Sequence, residues 1–206
     1  VKGHVIHDNG AFLNYGLLLS ATTLMPLPGP YKVKNVHVTL DTVYTNTVST
    51  SPVRGAGRPN AAYAMDRLMD AVGKRLGIDP AEMRQINLVK GEDFPYQPGS
   101  KHRNGSVMTY DSGDYTGMLD KVKEMADYDG FREEQKQARL KGKYLGIGLA
   151  CFIEDTGMGP YEGVNVRVDV SGNIIASTGA ASQGQGHSTI IAQVIAEMLD
   201  IDMAKI

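Results

Sequence analysis

Two glycine-rich loops interrupt this chain where strand-like sequence gives way to helix-like sequence, and they limit its architecture more than any other feature. The first is Arg54-Gly55-Ala56-Gly57-Arg58-Pro59 and the second is Gln183-Gly184-Gln185-Gly186-His187. Glycine there lets backbone amides approach a ligand closely, and the helix that follows opens with unpaired N–H groups and a partial positive charge. Both loops therefore suit an anionic or hydrogen-bond-rich cofactor. Gln183 and Gln185 strengthen that reading, because amide side chains beside the glycines add donors and acceptors with no evident structural task. Neither loop is a G-x-G-x-x-G dinucleotide fingerprint, and neither ends in the G-K-[ST] of a phosphate loop.

The spacing of apolar residues around the loops predicts an α+β fold in two lobes, 1–141 and 142–206. Val5-Ile6, Leu17-Leu18-Leu19 and Val36 to Val43 read as short strands, divided by Asp8-Asn9-Gly10 and by Pro26-Leu27-Pro28-Gly29-Pro30. After Pro59 the period changes: Ala61, Ala64, Met65, Leu68, Val72 and Leu76 recur every three or four residues, which predicts a helix of about 17 residues closed at Gly77. Asp79-Pro80-Ala81-Glu82 then gives an N-cap carboxylate, a proline at the first helical position and a glutamate at N3, so a second helix should pack back as a hairpin. Residues 91–113 read as a connecting loop, followed by helices around Met118 to Met125 and Phe131 to Leu140. The second lobe is predicted to hold a strand over Gly146 to Ile153, a hairpin built from Val164 to Val170 and Ile174 to Thr178, and a final helix from about His187 to Leu199.

Composition removes several functions. Lys+Arg 21 against Asp+Glu 23 leaves a net charge of -2 without a basic run, which excludes a phosphate-backbone footprint. The single cysteine, Cys151, rules out an internal disulfide framework or a thiolate-held cluster within the chain and fits a reducing cytoplasm. The apolar stretch around Leu17 to Met25 is interrupted by Ser20, Thr22 and Thr23 and is far shorter than the roughly 20 residues of a membrane span. The five histidines show no H-x-x-x-H or H-E-x-x-H spacing, so no side-chain metal site is expected. The ends, Val1 without an initiator methionine and Ile206 after a helix-like run, read as those of a fragment of a longer polypeptide.

Taken in order, the motifs resemble the molybdopterin-binding large subunits of the xanthine dehydrogenase, aldehyde oxidase and aerobic carbon monoxide dehydrogenase family. The residues that carry the resemblance are Asp8-Asn9-Gly10-Ala11, Gly29-Pro30-Tyr31, Thr45-Asn46, the Arg54 loop, Leu76-Gly77-Ile78-Asp79-Pro80, Asn87-Leu88-Val89, Gly146-x-Gly148, Glu154-x-Thr156-Gly157-x-Gly159-Pro160, Val166-Arg167-Val168, and Thr178-Gly179 leading to Gly184-Gln185-Gly186-His187. The resemblance implies a molybdenum-molybdopterin cofactor, in the cytosine dinucleotide form, held by backbone amides and glutamines rather than by side-chain ligands. Arg54, Gly55 and Ala56 would lie beside the metal, and Gln183, Gly184, Gln185, Gly186 and His187 would grip the pterin. His37, Ala56, Leu149 and Ala150 would face the substrate. It further implies an iron-sulfur subunit and an FAD subunit as partners, the remainder of a large subunit, and a general-base glutamate outside this chain, so that residues 1–206 alone would be inactive.

Departures from the family pattern shape the substrate. Ala56 and Leu149 stand where xanthine-type enzymes present aromatics, His37 stands where a substrate-binding arginine is expected, and Val53-Arg54-Gly55-Ala56 lacks the cysteine of the copper-containing carbon monoxide enzymes. Hydroxylation of an aldehyde or an N-heteroaromatic carbon with water-derived oxygen is the activity the resemblance then implies. A competing reading is a non-catalytic scaffold or pterin-binding module of the same fold.

Overall fold

The computed structural model describes residues 1–15, 17–102, 104–154, 161–182 and 184–206. They divide into two units, residues 1–154 and 155–206. Gln183 and the stretch Thr156-Gly157-Met158-Gly159-Pro160 lie outside the described residues.

In the first unit, β1 (Lys2–Asp8) and β2 (His37–Val43) pair in parallel, in register from Lys2 with His37 to Asp8 with Val43. Parallel strands need a crossover, and the crossover contains α1 (Leu18–Leu24). The strand expected at Leu17 to Leu19 is therefore a helix. Thr22 and Thr23 explain the difference, since both hydroxyls donate back to the Leu19 carbonyl, at 2.8 and 3.3 Å, a bond available only within a helical turn.

The predicted hairpin is present as α2 (Arg58–Leu76) and α3 (Pro80–Asn87). Gly77 closes α2 in the left-handed region at φ 71°, and the Asp79 carboxylate accepts from the Ala81 amide at 2.8 Å to open α3. Met65 and Met69 of α2, Met83 of α3, Leu88, Tyr31 and Leu119 form the core. Three methionines in that set supply unbranched, adaptable packing. Leu119 belongs to α4 (Tyr115–Met125), and α5 (Tyr128–Leu140) follows it. The stretch read as a plain loop, 91–113, carries a 3-10 turn at Gly91–Asp93 and two isolated bridges, Tyr96 with Tyr110 and Lys101 with Val107.

A buried polar network binds these pieces. Arg84 is fully buried and all five of its N–H groups are matched: Nε to Asp66 Oδ1 at 3.0 Å, Nη1 to Asp70 Oδ1 at 2.9 Å and Pro80 O at 3.0 Å, Nη2 to Asp66 O at 3.3 Å and Leu149 O at 2.7 Å. Asp66 also accepts from Tyr31 OH at 2.6 Å and from the Cys151 amide at 3.1 Å. Burial, then the hydrogen bond to Asp66, raises the Tyr31 phenol well above its ordinary range. Burial and the Asp66 charge also raise the Cys151 thiol, which is thereby kept neutral as a small packed residue.

That network corrects the expected strand over Gly146 to Ile153. Its exposure does alternate, with Ile147, Leu149, Cys151 and Ile153 turned inward, yet among the described residues it has no ladder partner. Side chains of α2 and α3 satisfy its main chain instead. The segment therefore packs in the first unit, which runs to residue 154.

The second unit, described by itself, holds the antiparallel pair β3 (Val164–Val168) and β4 (Ile174–Thr178), joined through an Asp169 carboxylate that accepts from Ser171 and Asn173 amides, each at 2.9 Å. α6 (His187–Leu199) follows the second glycine loop, as predicted.

Replacing Arg84 by alanine would leave the buried Asp66 carboxylate without its counter-charge, and we expect a loss of about 3–5 kcal/mol in chemical denaturation; Tyr31→Phe, which removes one bond to a charged acceptor, should cost about 1.5–3 kcal/mol. A second expectation concerns alkaline pH. Tyr128 donates to Asp79 Oδ1 at 3.0 Å, and burial together with that bond pushes its phenol up to about 12. Because the folded state favours the neutral phenol, this contribution is complete below a pH of about 10 and is lost as pH rises through about 12. Denaturation series across that window should show the loss, and Tyr128→Phe should flatten it.

Candidate functional site

A cavity of about 730 Å³ opens in the first unit between the Arg54 loop, the first turns of α2 and residues 148–154. Arg54, Gly55, Arg58 and Pro59 form one side, Tyr63 and Asp66 continue it along α2, and Leu149, Ala150, Phe152, Ile153 and Glu154 form the other. Arg58 Nη1 stands 3.9 Å from Glu154 Oε1, so an ion pair links the two sides. Mostly apolar walls with a few fixed polar groups suit a small-molecule pocket.

The loop owes its shape to tight turns. The Ala56 amide donates to Val53 O at 2.7 Å and the Arg58 amide to Gly55 O at 3.0 Å. Gly55, Ala56 and Gly57 all have positive φ, at 103°, 45° and 94°. For alanine this is a strained conformation, and its carbonyl is the second acceptor of the Thr22 hydroxyl, whose one proton is shared with Leu19 O. Gly57 is required by contact as well as by φ. A Cβ on it would lie 2.7 Å from Thr23 Oγ1 and 2.8 Å from Leu19 O, so α1 acts as the bed on which the loop rests.

The structure brings Arg54, Gly55, Leu149 and Ala150 together on this cavity. Ala56 is not on its lining, and His37 lies exposed at the start of β2, bonded through its amide to Val1 O at 2.9 Å. The aromatic surface of the cavity comes from Tyr63 and Phe152 rather than from positions 56 and 149. In the second unit, Gly184 and Gly186 also have positive φ, at 101° and 74°, with open space where a Cβ would stand. Gln185 Nε2 reaches Ala181 O at 3.4 Å, and His187 Nδ1 lies 3.3 Å from Ala180 O. Among the described residues neither the Gly184 nor the Gly186 amide donates to a backbone carbonyl. Open, left-handed glycines beside a helix start fit an anionic, oxo-bearing group held by main chain.

Sequence reasoning missed Asp66, Arg84, Tyr63 and Phe152. A signal existed for the first two, since Asp66 sits beside Met65 on the apolar face of α2 and Arg84 beside Met83 on that of α3. Charged residues on a core-facing stripe require partners.

Comparison with known proteins gives the family. Two family matches, both described as molybdopterin cofactor-binding domain, span residues 1–88 and 121–206. The chain is 32% identical over 98% of its length to the 6-hydroxypseudooxynicotine dehydrogenase complex subunit gamma of Paenarthrobacter nicotinovorans, of which it covers 25%. It is also 32% identical over 98% of its length to the carbon monoxide dehydrogenase large chain of Afipia carboxidovorans, covering 27% of that protein. Among solved structures, quinoline 2-oxidoreductase from Pseudomonas putida 86 superposes with a TM-score of 0.82 at 33% identity, over 97% of this chain and 27% of that one. The chain thus spans about a quarter of the length of these relatives.

Gly57→Ala should displace the Arg54 loop from α1 and cost more than about 1 kcal/mol, whereas Gly184→Ala meets open space and should cost only the strain of its φ. Thermal melts of both variants, with hydrogen exchange over residues 53–58, would show the difference.

Proposed function

The chain belongs to the molybdopterin-binding large subunits of the xanthine dehydrogenase, aldehyde oxidase and carbon monoxide dehydrogenase family, and on that premise we propose that it forms part of a hydroxylase acting on an N-heteroaromatic or aldehyde carbon. The observation that carries the proposal is the cavity that joins the Arg54 loop to residues 148–154. When bound, a molybdenum-molybdopterin group supplies two-electron oxidation of a substrate carbon with oxygen taken from water.

The residues of this chain do the holding and the shaping. Gly184, Gln185 and Gly186 present amides and a carboxamide to an anionic cofactor, with His187 and the first turn of α6 adding unpaired N–H groups. Arg54, Gly55 and Ala56 form a turn fixed by the Ala56 to Val53 hydrogen bond, which sets Arg54 and Gly55 on the cavity. Leu149, Ala150, Phe152 and Ile153 exclude water from one side of the pocket, and Tyr63 and Phe152 offer planar surface to a flat ring. The Arg58 to Glu154 ion pair keeps the loop and that wall at a fixed separation. His37 remains a candidate for contact with a more distant part of the substrate.

Several relatives support the substrate class. The Paenarthrobacter nicotinovorans proteins are named for 6-hydroxypseudooxynicotine and nicotine, and the Pseudomonas enzyme for quinoline. We assign the cofactor as the cytosine dinucleotide form, place iron-sulfur clusters and FAD on partner subunits, and locate the assembly in the cytoplasm. Relatives named as a complex subunit and as large chains or large subunits fit such an assembly. Among the described residues no helix is long and apolar enough to cross a membrane.

The test is metal analysis and mass spectrometry of the released pterin nucleotide from the intact protein, followed by steady-state kinetics. Molybdenum, the cytosine dinucleotide and a higher kcat/KM for an N-heterocycle or aromatic aldehyde than for xanthine are expected. Gln185→Ala should lower molybdenum occupancy with little change in melting temperature, a loss of roughly 0.5–1.5 kcal/mol of binding, or about 3 if its partner is charged. Active intact protein devoid of molybdenum and pterin overturns the proposal, and a higher kcat/KM for xanthine overturns its substrate class.

A further inference from the structure

A second cavity of the first unit, about 660 Å³, lies where the end of α2, the start of α3, α5 and residues 147–149 meet. Its charges do not balance. Lys74 of α2 and Arg132 and Arg139 of α5 face two carboxylates, Asp70 and Asp79. Both carboxylates are already engaged: Asp70 accepts from Arg84 at 2.9 Å and from Arg67 at 3.2 Å, and Asp79 caps Ala81, accepts from Tyr128 and pairs with Arg132 at 3.3 Å. Among the described residues Lys74 and Arg139 have no ion-pair partner at all.

Arg132 is the fixed point of this cluster. Its Nε is held by Asp79, its Nη1 donates to Gln135 Oε1 at 2.6 Å, and its guanidinium lies 6.0 Å from the centre of the Tyr128 ring. Gln135 is itself anchored, donating from Nε2 to Leu145 O at 2.7 Å. A planar fork locked at two points, with Nη2 donating to no described residue, is preorganised to take two oxygens of an anion. Lys74 and Arg139, both exposed, add charge from two other positions on the lining.

We propose that this cavity is a binding site for a small doubly charged oxyanion, either free phosphate or a dicarboxylate, distinct from the pocket on the Arg54 loop. Arg132 receives the anion through its free edge, and Lys74 and Arg139 close over it.

Titration calorimetry on the intact protein, at constant ionic strength set with chloride, tests this with inorganic phosphate in one arm and succinate in the other. Saturable binding below about 10 mM by one of them is expected, and the tighter of the two identifies the source. Arg132→Gln should weaken it by about tenfold or more. Because Arg132 also pairs with Asp79, the double variant Lys74→Gln, Arg139→Gln provides a second measure, since those side chains have no described ion pair to lose; it should weaken binding by a similar factor. Absence of saturable binding in both arms, or affinity unchanged in the double variant, overturns the proposal.

Discussion

The first unit depends on one guanidinium. Arg84 has no exposure to water, and a buried arginine is tolerable only when every donor is matched, which here requires two aspartates of α2, the first residue of its own helix and a carbonyl from residues 144–154. Three of the five acceptors lie on α2, one at the start of α3 and one on residues 144–154, so the bonds tie three pieces of the chain together. Breaking one bond therefore leaves a charge or an acceptor unmatched elsewhere, and the pieces hold or fail together. Asp66 has the same character from the opposite sign, receiving Tyr31, Arg84 and the Cys151 amide on one carboxylate.

This explains why a pattern of residues revealed some elements and not others. α2 and α3 are legible because their signals are local: a period of three and four, Gly77 at one boundary, Asp79 and Pro80 at the next. Leu17 to Leu19 misled because an apolar run of that length fits strand and helix equally, and the deciding threonine bonds run backwards along the chain. Residues 146–153 kept the two-residue alternation of a strand, and the reading failed only on what pairs with it. No periodicity shows that side chains 65 and 85 positions earlier would take the place of a neighbouring strand.

The candidate site divides in the same way. Both glycine loops could be found from sequence, since positive φ and close approach demand glycine wherever they occur. Family resemblance assigns Leu149 and Ala150 to the substrate, and in the structure they share one cavity with Arg54 and Gly55. Ala56 is different. Its positive φ and its bond to Thr22 make it a fixed corner of the turn rather than part of the cavity wall, and only the backbone angles reveal this. Tyr63 and Phe152 escaped notice because an exposed aromatic carries no periodic signature until another element is known to stand opposite it.

The hold on residues 149–151 acts on main-chain atoms alone, the Leu149 carbonyl and the Cys151 amide. Every amino acid except proline offers both. The identities of the side chains at 149, 150 and 152 are thus uncoupled from the anchoring that positions them, and a lineage can exchange them one at a time without passing through an unfolded intermediate. Such a wall can change its side chains while the anchor supplied by Asp66 and Arg84 stays the same.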